Sequence, residues 1–154
     1  MTDKLQEMPG HLIRRLHQIS VAVFSEHVAA AGLNLTSVQY AALSAIAASP
    51  GIDQATLAGS IAYDRVTIGG VVDRLVQKGL IDRRTNERDR RARVLHITPE
   101  GETVLREIEP VVAGVQRDIL VGLSETERAT LIALMRKATE AGNELSRAPR
   151  IAES

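Results

Sequence analysis

Between Arg83 and Arg93 the sequence reads RRTNERDRRAR, with six arginines in eleven residues against two acids, Glu87 and Asp89. A guanidinium stays charged at any physiological pH and presents a planar fork of N–H donors that matches phosphate and carboxylate oxygens. The chemistry available to this run is anion recognition. The chain as a whole is neutral, with 19 Lys and Arg against 19 Asp and Glu, which argues against nucleic-acid binding by bulk charge. Any anion binding has to be local. A solvated charged hairpin is the plainer reading of a basic run standing alone, so the surrounding elements must decide.

Catalytic chemistry has fewer footholds. His11, His17, His27 and His96 are scattered, with no HExxH, no glycine-rich phosphate loop and no Gly-x-Ser-x-Gly elbow. The absence of cysteine removes disulfides, thiolate chemistry and cysteine zinc sites. These features predict no enzyme, no cofactor and no metal site; histidine–carboxylate metal sensing, for instance around Glu26-His27, stays open as the alternative. The apolar runs are too short to span a bilayer, and the N-terminus MTDKLQEMPG lacks the basic-then-apolar order of a signal peptide. The expectation is a soluble, cytoplasmic protein with no membrane partner.

The 154 residues suit one domain, and 44% hydrophobic content allows a core. Only Phe24, Tyr40 and Tyr63 are aromatic, so aliphatic helix packing must build it. Apolar residues at helical spacing, Leu12, Leu16, Ile19, Val23 and Phe24, predict a helix over 11–31 that follows Pro9-Gly10 and ends at Gly32. Thr36-Ser37-Val38-Gln39 is a capping-box pattern that opens a helix over 37–48, stopped by Ser49-Pro50-Gly51. Short helices follow over 54–61, with Asp53 as N-cap, and over 65–78, after Asp64 and before Gly79. The period then changes: residues 80–84 and 93–97 read as strands joined by a polar loop over 85–92. Thr98-Pro99-Glu100 starts a helix to about residue 120, bent near Pro110. Ser124 to Glu127, a second capping box, opens a last helix to about 145, and the tail SRAPRIAES is expected to fray.

This order gives a mainly α fold with a small β-hairpin wing. The winged helix-turn-helix lobe spans 35–98, within a single domain over 1–154. The flanking helices, 10–32 and 99–145, carry apolar stripes that one compact monomer of this size does not bury. A second copy would bury them, making these the dimerisation helices.

At these positions the sequence resembles the MarR family of bacterial transcriptional regulators, over roughly residues 10–143. Asp89-Arg90-Arg91 followed by Ile97-Thr98-Pro99-Glu100-Gly101 matches the D-x-R…(L)-T-x-x-G wing signature, with isoleucine where leucine is usual. The segment from Val72 to Ile81 matches the end of the family's recognition helix, and Leu35 to Tyr40 matches the opening of its second helix. The resemblance implies a homodimer on pseudo-palindromic, double-stranded operator DNA that usually represses until a ligand binds. It also implies that Asp89 pairs with an arginine to hold the wing while Arg91 reaches DNA.

The residues fit that use. At 100° per residue, Ile68, Val71, Val72, Leu75 and Val76 share one face of the 65–78 helix. The opposite arc carries Val66, Gly70, Asp73, Arg74 and Gln77, with Thr67 beside it. Small and polar residues with an arginine in reach suit a major groove, and the methyls of Val66 and Thr67 suit a thymine. Arg65, near the start of the helix, reaches either a base or a phosphate. Gly69 and Gly70 each cost about 0.5–1 kcal/mol relative to alanine; close approach to DNA or to a neighbouring helix would offset this. In the wing, Arg88, Arg90 and Arg91 suit a narrow minor groove.

For an effector, the resemblance implies a small aromatic or phenolic carboxylate held between the dimer helices and the DNA-binding lobe. Arg15 and His17 flank the apolar face of the first helix, Ser20 and His27 lie nearer its middle, and Phe24 and Tyr40 offer a stacking surface and a hydroxyl. An arginine at the margin of an apolar cleft suits a carboxylate; surface ion pairs and packing histidines are the plainer alternative. The absence of cysteine excludes the family's thiol-oxidation branch. A winged-helix activator, or a protein-contact module without an aromatic ligand, is the rival class.

Overall fold

Side-chain caps set the starts of the five α-helices that follow the first. In the computed structural model, which describes residues 3–152, Thr36 Oγ1 accepts the Gln39 N–H while Gln39 Oε1 accepts the Thr36 N–H, at 3.2 and 3.1 Å. This reciprocal box opens α2, Ser37–Ala48. Asp53 and Asp64 take the amides of Thr56 and Thr67 at 2.8 and 2.7 Å, starting α3, Gln54–Ser60, and α4, Arg65–Gln77. Thr98 caps α5, Pro99–Ile119, and a second reciprocal box at Ser124 and Glu127 caps α6, Glu125–Ala141. Each such cap contributes about 1 kcal/mol.

The first helix, α1, runs Pro9–Ala30, two residues earlier than its apolar spacing predicts. Pro9 lies inside it because the first turn leaves backbone N–H groups without partners anyway. Its end is a Schellman turn: Gly32 adopts φ +74° and Leu33 donates to the Val28 carbonyl. The end of α4 repeats this geometry at Gly79, φ +72°, with Leu80 donating to Leu75.

The two expected strands are present as β2, Ile81–Thr85, and β3, Arg93–Ile97. A third was not expected. Ile52–Asp53 forms β1 and pairs antiparallel with β3 on the side away from β2, Ile52 opposite Leu95. Two residues carry no period for a sequence reading to detect.

Leu43, Ile46, Leu57, Ile68, Val72, Leu75, Ile81 and Leu95 bury the lobe's interior, and Phe24, Val28, Ile108 and Val115 continue it between α1 and α5. By contrast α6 has no buried residue: Ile132, Leu134 and Met135 are 47, 57 and 40% exposed. Leu12, Ile13 and Ile19 of α1 are exposed as well. Among the described residues no helix is long and apolar enough to cross a membrane.

The tail does not fray over its described residues. After a 3-10 turn at Asn143–Leu145, the Asn143 side chain exchanges two hydrogen bonds of 2.9 Å with the backbone of Arg150. Ile151 N then donates to the Gly59 carbonyl at 2.9 Å. The amide of Asn143 does for the tail what a neighbouring strand would do, satisfying one donor and one acceptor at once.

Candidate nucleic-acid interface

The 100° periodicity places the faces of α4 correctly. Ile68, Val71, Val72 and Leu75 are buried, whereas Arg65, Val66, Thr67, Gly70, Asp73, Arg74 and Gln77 are exposed. Val66 is 90% exposed, an isolated apolar side chain aimed outward at the start of the helix. Thr67 is held: its hydroxyl donates to Asp64 at 2.8 Å, so its methyl and the acceptor side of its hydroxyl are what it can offer a base edge. The same amide and hydroxyl of Thr67 keep the exposed Asp64 carboxyl below the usual range. A Cβ on Gly70 would meet nothing within 4 Å, and one on Gly69 only the Gln54 side-chain amide at an ordinary 3.5 Å. Packing against a neighbouring helix therefore does not require either glycine.

The arginine run divides. Arg83 donates to Asp73 at 2.6 Å, tying the base of the wing to the exposed face of α4, and Arg84 faces Asp82 at 3.6 Å. Among the described residues, Arg88, Arg90, Arg91 and Arg93 make no ion pair. The loop that carries them is shaped by two short side chains. Asn86 Oδ1 accepts the Arg88 N–H at 2.9 Å, and Asp89 Oδ1 accepts the Arg91 N–H at 3.0 Å. Asp89 contacts the wing through the backbone amide of Arg91, and not through the arginine side chain that the resemblance implies. An aspartate accepting an amide two residues on is the local Asx geometry, which needs no long side chain to be ordered.

Arg91 and Arg93 meet Arg65 across a cleft of about 480 Å³, lined also by Asp53, Gln54, Ile68 and Asp89. The fold thereby brings the D-x-R arginine beside the first residue of α4. Arg88 and Arg90 stand exposed on the wing, and Arg74 lies toward the other end of α4. The second half of the wing signature has a mechanical role. Thr98 Oγ1 donates to the Gly79 carbonyl at 2.6 Å and accepts the Gly101 N–H at 3.0 Å. A Cβ on Gly101 would stand 2.1 Å from the Leu80 carbonyl oxygen, so only glycine lets α5 seat against the end of α4.

Lys78 escaped the sequence reading. Its ammonium donates to the Asn34 carbonyl and, at 3.2 Å, to Gln39 Oε1, joining the end of α4 to the capping box of α2. Burial, then the neighbouring Arg74 charge, lower its pKa. Only its position beside the Gly79 turn could have flagged it.

The effector candidates do not converge on one site. Arg15 lines a cavity of about 430 Å³ with Leu12, Ile19 and Leu123, and its guanidinium donates to Gln6 at 3.1 Å. His17 and Ser20 line a separate cavity of about 380 Å³ with Gln116 and Met135. Leu16, Ile119 and Leu120 border both. Phe24 is buried in the core, its ring centroid 6.5 Å from that of the half-buried Tyr40. His27 faces Asp118 at 2.9 Å across α1 and α5. Among the described residues no group of three or more histidines and carboxylates is placed to hold a metal ion.

An exposed helix with a polar, glycine-containing face, set beside an arginine-bearing hairpin, defines a winged helix-turn-helix. The MarR family profile matches residues 35–92. A putative transcriptional regulatory protein for the hcr operon of Thauera aromatica is 37% identical over 84% of this chain and 80% of its own length. The PcaV transcriptional regulator of Streptomyces coelicolor, in complex with its natural ligand, superposes with a TM-score of 0.82 at 35% identity, covering 92% of this chain and 99% of PcaV. BpsR of Bordetella bronchiseptica, whose DNA binding is regulated by 6-hydroxynicotinic acid, gives 0.80 at 28% identity over 86 and 94%. The chain belongs to the MarR family of transcriptional regulators.

Proposed function

We propose that this protein is a cytoplasmic, non-enzymatic repressor that binds pseudo-palindromic operator DNA as a homodimer and is released by a small aromatic or phenolic carboxylate. The observation that carries the reading is that Arg65 and Arg91 line one cleft beside the open face of α4. In this assignment α4 enters the major groove, with Arg65, Val66, Thr67, Gly70 and Arg74 at or near base edges. Arg88, Arg90 and Arg91 follow the adjacent minor groove. The lobe is 35–98 of a single regulatory domain over 1–154. The dimerisation helices are 10–32 and 99–145, whose uncovered apolar side chains on α1 and α6 support a second copy.

For the effector, the proposed site is the cavity lined by Leu12, Arg15 and Ile19, with Arg15 binding the carboxylate, while His17 and Ser20 line the neighbouring cavity across the shared border of Leu16, Ile119 and Leu120. Phe24 and Tyr40 act from the adjoining core and not as first contacts. BpsR, whose DNA binding is regulated by 6-hydroxynicotinic acid, supports this ligand class. The test is fluorescence anisotropy on duplexes tiled from the protein's own promoter region. Tight binding to one tile should be released by benzoates, hydroxybenzoates or cinnamates, and release should be blunted in Arg15→Ala. Binding that ignores every such acid would overturn the effector assignment.

A further inference from the structure

Beyond Leu145 the chain turns back onto the winged lobe. Asn143 clasps Arg150 through paired 2.9 Å hydrogen bonds, Ile151 N donates to the Gly59 carbonyl, and Arg150 Nε donates to Ser60 O at 3.4 Å. A Cβ on Gly59 would lie 2.9 Å from Ile151 Cδ1 and 3.2 Å from Ile151 Cβ. The bare glycine is what lets the tail lie against the end of α3.

The landing place is the end of the lobe where α4 begins. Ile151 and Ala152 share a groove of about 570 Å³ with Arg65 and Thr56. Ser146 and Ala148 border a second hollow with Ala62, in the turn between α3 and α4. Between those two residues Arg147 is exposed, and among the described residues its side chain has no hydrogen-bond or ion-pair partner. Its charge also reaches Asp64, where it is the smallest of the influences that favour the ionised carboxyl, behind the Thr67 amide and hydroxyl and the Val66 amide. Asp64 is an exposed anion at the very end of the helix assigned to the major groove. Unopposed, it would repel the phosphates that border the groove assigned to α4.

We propose that the docked tail is a third DNA-contacting element, in which Arg147 binds a backbone phosphate beside the start of α4 while Asn143, Arg150 and Ile151 anchor it on Gly59 and Ser60. This rests on the DNA-binding reading above. Phosphate contact is independent of sequence, so a duplex of arbitrary sequence, about 30 base pairs long, serves as the probe in an anisotropy titration against salt. Each phosphate contact contributes about 0.9 to the slope of log K against log salt. Arg147→Gln is expected to flatten the slope by about 1.8 per dimer and to weaken low-salt binding by about tenfold, with an unchanged thermal melt. Arg147→Lys should restore the slope. Asn143→Ala and Gly59→Ala, which release the tail but keep the arginine, should reproduce the loss.

Wild-type slope and affinity in Arg147→Gln, alongside a weakened Arg91→Ala, would overturn the tail's role and leave the DNA-binding reading standing. Loss in Arg147→Gln with none in the two release variants would overturn the docked geometry. Absence of salt-dependent binding by the wild-type protein would remove both readings together.

Discussion

In the winged lobe, Leu43, Ile46, Leu57, Ile68, Leu75 and Leu95 are fully buried, and α2, α3 and α4 each begin on a side-chain cap. In α6 the cap is just as complete, yet no residue of the helix is buried. Local signals are therefore equally good in both regions, and only the lobe finishes its packing within one chain. Caps contribute about 1 kcal/mol each, whereas most helical stability in proteins comes from burying an apolar face. Helix α6 leaves Ile132, Leu134 and Met135 uncovered, and in the proposed homodimer these are the side chains that the second copy would cover.

The comparison breaks most visibly under large-to-small and apolar-to-charged changes. Leu57→Ala, at a site with no exposure, is expected to cost about 2–5 kcal/mol in a urea melt at any protein concentration. Ile132→Asp should leave the lobe folded but convert the proposed homodimer to monomer by light scattering. It should also abolish the rise of melting temperature with concentration that an associating protein shows. If Ile132→Asp behaved like Leu57→Ala, the arm would be self-contained and the contrast wrong.

Gly101 tests the joint between the two regions. An alanine there would push its Cβ into the Leu80 carbonyl, and an expected loss of about 2–3 kcal/mol follows from overpacking against backbone. Wild-type stability would show that α5 seats differently.

Smaller effects sharpen the account of the lobe. Asp53 is held below the usual carboxyl range, chiefly by the Thr56 amide, with burial opposing and the Thr56 hydroxyl assisting. A carboxyl depressed on folding contributes stability that is fully present above its unfolded pKa and lost as pH falls through the folded value. Asp53→Ala should therefore cost about 1 kcal/mol at neutral pH, and the gap from wild type should close in acid, below the ordinary aspartate range. A gap independent of pH would point to something other than the charged cap. Smallest is Ala62→Gly. Ala62 holds φ +56° in the turn between α3 and α4, a left-handed conformation that glycine adopts without penalty. A gain of about 0.5 kcal/mol is expected, and a loss would mean that the methyl group packs.

What the sequence disclosed follows from how local each signal is. Capping residues act over three positions, so Thr36, Asp53, Asp64, Thr98 and Ser124 announce their helices, and a 3.6-residue period sorts the two faces of α4. The rest depended on contacts that spacing does not encode. Arg83 and Arg91 look alike in a charged run, but Asp73, ten residues away on α4, takes one and leaves the other free. The tail's partners Gly59 and Ser60 lie about ninety residues upstream, which makes SRAPR look like a loose end. In the same way a shared helix placed Arg15, His17 and Phe24 within one reading, while the packing of α1 against α5 sent them to two cavities and the core.

The most direct test is the salt dependence of duplex binding by the wild-type protein and by Arg91→Ala, measured by anisotropy on a promoter-region tile. A dimer engaging 6–10 phosphates should lose roughly 10³–10⁵ in affinity between about 50 and 200 mM salt. Arg91→Ala should bind more weakly and with a flatter slope, while remaining dimeric by light scattering. An Arg91→Ala protein with the wild-type affinity and slope would contradict the claim that a neutral chain reads DNA through the arginines of its wing.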